Sequence, residues 1–324
     1  MTGGASWDGG ASSAGPLPTV VDTDMLGRAG ITAAFVVRGR ATALVETGPR
    51  SSLAAVLAGL ARAGVESLDH IVVTHIHLDH AGGAGALARR FPDALVWVHP
   101  RGAPHLADPS RLWSSAARIY GDAMERMWGG VDPVDRDRIV SLEDGGRIDL
   151  GGRSLRAVET PGHASHHHAL LDEGSGILFA GDALGVRLPD IGVVRAATPP
   201  PEFDLSAALS SVARIAATRP TAVWPTHYGG SSEGVAPLEP AEMCAAAEAA
   251  LRSWAEWAEE ARAVTRDLDE AAALVERRAR AGPEAPLEES QVERLEATTS
   301  YRMNTWGLLR YLDKRSAGAG AAPP

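Results

Sequence analysis

Thr74-His75-Ile76-His77-Leu78-Asp79-His80-Ala81-Gly82-Gly83 follows directly on the apolar run Ile71-Val72-Val73. Such a run reads as a short buried strand of a layered α/β core. A turn leaving that strand points alternate side chains at one centre and Asp79 and His80 at a neighbouring one. Imidazole and carboxylate together suit Zn²⁺ and, with more carboxylate, iron or manganese. Incidental histidines on a wet loop do not account for the pattern, because it abuts an apolar strand and ends in Gly-Gly, where the backbone must turn closely. Buried without a ligand, the same groups would be desolvated at a cost. A single cysteine, Cys244, excludes a disulfide framework and a cysteine-rich zinc ribbon, so a metal site here is built from histidine and carboxylate.

Working outward, Ile31 to Glu46 reads as a hairpin turning at Arg38 to Arg40. Ser51 or Ser52 is placed to cap a helix through Leu53, Val56, Leu57 and Leu60. A helix over Leu87 to Arg90 and a strand over Ala94 to Val98 follow the histidine cluster. Pro100 to Asp137 breaks the alternation with Trp113, Tyr120, Met124, Met127 and Trp128 at helical spacing. It reads as one or two inserted helices whose large side chains pack together or wall a substrate entrance. Strands return at Arg147 to Leu150, Leu155 to Glu159, Ala169 to Leu171 and Gly176 to Ala180, the last two joined by the turn Asp172 to Ser175. A helix over Leu205 to Ala217 and a strand at Ala222 to Trp224 complete the rhythm. Beyond Pro240, Met243, Leu251, Trp254 and Val264 form an apolar stripe on a Glu- and Arg-rich background, which reads as a helical extension. Its stripe is expected to bury against the catalytic domain or a second subunit, as in a homodimer. Gly282 to Pro286 breaks this helix.

The chain has 324 residues, 45% of them hydrophobic, with 35 Gly and 21 Pro, a composition for a turn-rich globular protein. The expected organisation is a flexible leader over 1–18, a catalytic domain over 19–236, the helical extension over 237–315 and a loose tail over 316–324. With 31 basic against 41 acidic residues, the net charge is −10, which argues against nucleic-acid and anionic-membrane partners. No basic and apolar export signal precedes the first strand, so a cytoplasmic location is expected.

A second histidine cluster, His163, His166, His167 and His168, brings to seven the histidines concentrated in two places, out of 11. Thr74 to Gly83 resembles the signature of the metallo-β-lactamase fold superfamily. Thr160-Pro161-Gly162-His163, Phe179-Ala180-Gly181-Asp182-Ala183 and Pro225-Thr226-His227-Tyr228-Gly229 follow in that family's order. The resemblance covers roughly Val20 to Gly230. It implies an α/β fold, an αββα sandwich with a helical insertion and a C-terminal helical extension. It also implies that His75, His77 and His163 hold one divalent metal ion, that Asp79, His80 and His227 hold a second, and that Asp182 bridges them. Zinc is the first expectation, with iron or manganese as alternatives. Catalysis would fall to water shared by the two cations, with Asp79 orienting it or taking its proton and Asp182 remaining anionic.

Among the other histidines, His167 reads as a hydrogen-bond support for the site. His166 and His168 read as crowding that narrows it, and His99 and His105 as packing or surface residues. Tyr228 could donate to substrate or pack beside His227, and Cys244 reads as a small buried hydrophobe. Within the superfamily the layout resembles the hydroxyacylglutathione hydrolase and lactonase-like branch. Arg252 and Arg262, however, lie among glutamates rather than in a basic glutathione site. The expectation is a hydrolase of a small ester, lactone or thioester, with a small molecule as its partner. A metal-stabilised interaction module and a phosphodiesterase are the alternatives.

Overall fold

Phe35 and Val37 project from one side of their strand and Ala34 and Val36 from the other, yet all four are buried. A strand with two apolar faces must be covered on both. In the computed structural model, which describes residues 16–188, 190–229 and 238–319, that requirement is met by stacking two sheets and covering each with helices.

The first sheet runs in sequence order, β1 (Thr19–Asp22), β2 (Ala33–Arg38), β3 (Thr42–Val45), β4 (His70–Val72), β5 (Leu95–Val98) and β6 (Ile139–Ser141). Its first three strands pair antiparallel and the rest parallel. The second contains β7 (Arg147–Asp149), β8 (Ser154–Glu159), β9 (His168–Asp172), β10 (Ile177–Gly181) and β11 (Ala222–Pro225), antiparallel except for the β10–β11 pair. Phe35 of the first sheet stacks on Phe179 of the second at 5.0 Å between ring centroids, with Trp224 at 5.5 Å. These rings, with Val37, Val45, Leu155 and Leu170, form the layer between the sheets.

Parallel strands need crossovers, and these are helical. They are α1 (Leu53–Arg62), α2 (Leu78–Ala81) and α3 (Ala84–Arg90), then α4 (Ala103–Ala107), α5 (Ser110–Tyr120) and α6 (Met124–Trp128), then α7 (Leu205–Ala217). Val56, Leu60 and Leu87 cover the outer face of the first sheet. The insertion thus holds three helices rather than one or two, because Asp108-Pro109 and the left-handed Gly121, at φ 52°, interrupt the pattern. No serine hydroxyl caps α1; Ser51 Oγ donates instead to the Met127 carbonyl of α6, at 2.7 Å.

The C-terminal extension consists of α8 (Pro240–Val264), α9 (Leu268–Ala281), α10 (Glu289–Thr298) and α11 (Tyr301–Ala319). Met243, Leu251 and Trp254 enter one apolar cluster with Ala208, Val212 and Ile215 of α7 and with Leu171 and Leu178 of the second sheet. The stripe therefore buries within its own chain. Val264 departs from the expectation: it ends α8 at 74% exposure, because the chain turns there at Thr265 towards α9. Asp267 caps α9 by accepting from two backbone N–H groups. The tail expected to be loose from Ser316 is helical as far as Ala319; residues 320–324 lie outside the described residues. So do residues 1–15 of the leader and the proposed boundary at 236–237. Among the described residues, no helix is long and apolar enough to cross a membrane.

Candidate metal centre

Antiparallel pairing of β8 with β9 and of β9 with β10, and parallel pairing of β10 with β11, make β8, β10 and β11 run the same way. Their carboxyl ends therefore share one edge of the sandwich, a recurrent position for sites in α/β folds. His163 follows β8, Asp182 follows β10 and His227 follows β11, while His75, His77, Asp79 and His80 follow β4. All seven side chains meet. One group comprises His75, His77 and His163, a second His75, His80 and Asp182, and a third Asp79, His80 and His227, the donor atoms of each lying within 4.8 Å of one another. His77 Nδ1 is 3.0 Å from His75 Nε2 and 2.9 Å from His163 Nε2. Asp182 Oδ2 lies 3.4 Å from His163 Nε2, and its Oδ1 lies 3.3 Å from His80 Nε2 and 3.6 Å from His227 Nε2. Asp182 thus faces both halves of the cluster.

The nitrogens on the outer side of the cluster are tied down. Ile31 and Ala197 carbonyls accept from His227 Nδ1 and His163 Nδ1 at 3.1 and 3.0 Å. Buried Glu46 accepts from His80 Nδ1 at 3.1 Å, Thr74 Oγ1 at 2.6 Å and Thr226 Oγ1 at 3.1 Å. Such partners fix ring orientation and tautomer, leaving the other nitrogen to face a cation. Glu46 escaped the sequence reading. The available signal was a carboxylate directly after the apolar strand Thr42–Val45, where a buried charge requires partners. His167 performs the expected support: Thr160 Oγ1 holds its Nδ1 at 2.8 Å, and its Nε2 accepts from the Asp182 backbone N–H at 3.1 Å.

Electrostatics match a cation-binding set. Burial and neighbouring imidazoles hold His75 well below its usual pKa, and burial with His163 and His166 does the same to His77. Burial pushes Asp79 up, but His80 and His227 overcome it and hold the carboxyl at about 2. Asp182, opposed by burial, is held well below its ordinary range by His80, His227 and His163. Burial disfavours the His80 imidazolium, yet Asp182, Asp79 and Glu46 raise it well above its usual value, so positive charge is favoured between these carboxylates. His80 Nε2 and Asp182 Oδ1 are buried without a well-formed hydrogen bond. Two buried polar atoms 3.3 Å apart with no formed hydrogen bond fit a shared divalent cation, whose nitrogen and oxygen ligands these residue types supply.

Beside this centre lies a cavity of about 180 Å³, reached by His77, Asp79, His163 and Asp182. Leu112, Ala116, Ile119, Tyr120 and Trp128 of the insertion form one wall; Pro199 to Pro201, Thr299 and Met303 form the other. Both the insertion and the C-terminal extension therefore line the cavity. Of the aromatics and methionines at helical spacing, Tyr120 and Trp128 are wall residues. Trp113, Met124 and Met127 do not line it; they pack, as Tyr120 and Trp128 also do, in the cluster that contains Met25, Ile31 and Leu78. The Tyr120 hydroxyl donates to Met303 Sδ at 3.5 Å, and its ring meets Trp128 edge-on at 5.0 Å between centroids.

His166 and His105 line the cavity, whereas buried His168 turns away and donates from Nε2 to the Val73 carbonyl at 3.0 Å. Buried His99 packs at 3.4 Å from Glu159. Tyr228 is not free for substrate, because its hydroxyl donates to Asp22 Oδ2 at 2.9 Å. Cys244 is buried in the cluster formed with α7. Arg252 pairs with Glu248 and Arg262 with Asp313, so both are engaged within the extension.

The sandwich carries its histidine-carboxylate cluster at one edge, and residues 26–227 match the family described as the metallo-beta-lactamase superfamily. The chain belongs to that family. A metallo-beta-lactamase fold-containing protein of Sulfurisphaera tokodaii is 31% identical over 169 residues, 51% of this chain and 62% of that one. A hydroxyacylglutathione hydrolase of Aeromonas hydrophila is 33% identical over 117 residues, covering 36% of this chain and 34% of the relative. The matches thus span less than two thirds of either relative. A crystal structure of an archaeal superfamily protein from Sulfolobus tokodaii shares the fold with TM-score 0.67 and 24% identity, covering 90% of this chain and 98% of that chain.

Proposed function

We propose that the protein is a hydrolase of a small ester, lactone or thioester that works with two divalent cations, zinc first and iron or manganese as alternatives. The observation that carries this reading is the largely apolar cavity opening onto the two-sided donor set. His75, His77 and His163 would hold one cation, Asp79, His80 and His227 the other, and Asp182 would link them. When bound, such cations polarise a carbonyl and make a shared water acidic enough to react near neutral pH. Asp79 lines the cavity as an anion and is 16% exposed at its side chain, so it can orient the attacking water and take its proton. Asp182 stays anionic between the halves. Leu112, Ile119, Trp128 and Met303 bury the acyl portion and exclude bulk water. Similarity to a hydroxyacylglutathione hydrolase supports an acyl substrate, although the match covers 34% of that relative. A small molecule is the partner in this reading, in the cytoplasm, and the net charge of −10 weighs against nucleic acid. A homodimer belongs to the same proposal.

The deciding experiment compares p-nitrophenyl butyrate, a hydrophobic γ-lactone, S-lactoylglutathione and bis-p-nitrophenyl phosphate on zinc-loaded protein with metal content measured in parallel. At least one acyl compound should be cleaved with higher kcat/KM than the phosphodiester, and a chelator should abolish turnover. Phosphodiester preference would refute the acyl reading. Two bound ions without turnover of any compound would favour the metal-stabilised interaction module.

A further inference from the structure

Asn304 is fully buried on α11, in the extension rather than in the sandwich, yet its side chain reaches the segment beside the metal centre. Its Nδ2 donates to the Ala196 carbonyl at 2.7 Å, and its Oδ1 accepts from the Thr198 backbone N–H at 2.8 Å. Thr299 Oγ1 donates to the same Oδ1 at 2.8 Å, and Thr198 Oγ1 donates to the Asn304 carbonyl at 3.0 Å. The amide orientation is fixed by these partners, since a carbonyl needs a donor and an N–H an acceptor. Between the two clamped residues stands Ala197, whose carbonyl accepts from His163 Nδ1 at 3.0 Å.

We infer that Asn304 is a positioning residue for the metal centre: by holding both neighbours of Ala197, it aims the carbonyl that sets the tautomer and direction of His163. This inference rests on the reading of His163 as a metal ligand. With Nδ1 donating to Ala197, the His163 Nε2 lone pair faces His77 and Asp182, where a cation would sit. Gly307, one turn further along α11, makes the reach feasible. A Cβ there would lie 1.9 Å from the Thr198 carbonyl oxygen, so α11 approaches the segment as closely as it does only because that position is glycine. The extension therefore does more than cover apolar surface, since it fixes one metal ligand through a single intervening carbonyl.

The test uses the full chain titrated with Co²⁺, reading affinity by chelator competition and ligand geometry by the visible absorption of bound cobalt. Asn304→Ser should weaken the cobalt site containing His163 about 10-fold, at the low end for changes to groups that orient metal ligands, and should alter its spectrum. Leu308→Ala, a buried position on the same helix, is the control: it should lower the thermal midpoint at least as far and leave affinity and spectrum unchanged. If Asn304→Ser does not fold, Thr299→Val, which removes one donor to Oδ1, is read in the same way. It should weaken the same site by about 3-fold, as one lost hydrogen bond permits. Unchanged affinity and spectrum in the folded variant, or equal weakening by Leu308→Ala, overturns the inference. His163→Ala separates the two levels. Loss of one cobalt supports the ligand assignment, whereas two ions at wild-type affinity would remove that assignment and this inference with it.

Discussion

Arg195 is completely buried and carries its charge into the joint between the sandwich and the extension. Its Nε and Nη2 donate to the two oxygens of Glu284 at 2.9 and 2.7 Å, and its Nη1 to Glu296 at 2.5 Å and the Thr299 carbonyl at 3.0 Å. The guanidinium also lies 4.2 Å from the Tyr301 ring centroid. Arg195→Met keeps most of the volume and removes the charge. Glu296 is 34% exposed at its side chain and can turn to water, so its share of the loss is small. Glu284 is 1% exposed and would retain the Tyr301 hydroxyl but no cation. Breaking a buried pair in this way costs about 3–5 kcal/mol, a large part of a net stability of about 5–15 kcal/mol. With a urea slope of about 3 kcal/mol per molar, the unfolding midpoint should fall by about 1–1.7 M. Arg195→Met/Glu284→Leu should recover part of that loss, because both charges are then gone. Urea unfolding followed by circular dichroism measures all three proteins. A single variant within about 0.5 kcal/mol of wild type, or a double variant no more stable than the single, would refute the account of an uncompensated buried carboxylate.

Three further outcomes follow from particular side chains. Burial and His99 lower the pKa of fully buried His168 to about 4 from an ordinary 6.5, so the unfolded chain binds its proton first as the pH falls. Its stability contribution is complete above pH 6.5 and diminishes towards pH 4, by about 3 kcal/mol in all; His168→Gln should flatten that part of the stability–pH curve, measured by urea unfolding at each pH, and an unchanged slope would contradict the assignment. Asp182→Asn should bring bound metal below two ions per chain and reduce acyl hydrolysis at least about 100-fold, because a neutral amide cannot serve both halves; elemental analysis and turnover both unchanged would remove its bridging role. Leu112→Glu should raise KM for hydrophobic acyl substrates about 10-fold or more with metal content unchanged, since it puts a carboxylate on the cavity wall; equal kinetics would show that substrate does not bury there.

Much of this molecule was legible in one dimension. Val72 and Val73 before the His75 to Gly83 cluster, and Phe179 and Ala180 before Asp182, announce buried strands ending in polar groups. Such local patterns survive in sequence because a strand fixes where its next few residues can point. Three-dimensional closure decided the rest. Glu46 lies 34 residues from His80 along the chain, yet the two are 3.1 Å apart because β3 and β4 are neighbours. Val264 fits the periodicity of α8 but is exposed, since periodicity names a face and not where the neighbouring element stops. Trp113 and Tyr120 lie on one helix, but only the latter lines the cavity. Asn304 offers no motif at all, for its meaning depends on Gly307 letting α11 approach the Ala196–Thr198 segment. Sequence by itself determined the strands, the loops that carry the histidine-carboxylate cluster, and the family. Tertiary structure decided which distant groups brace the segments around that cluster and which walls enclose the cavity, because those contacts join residues about 100 positions apart whose separation only the packed fold sets.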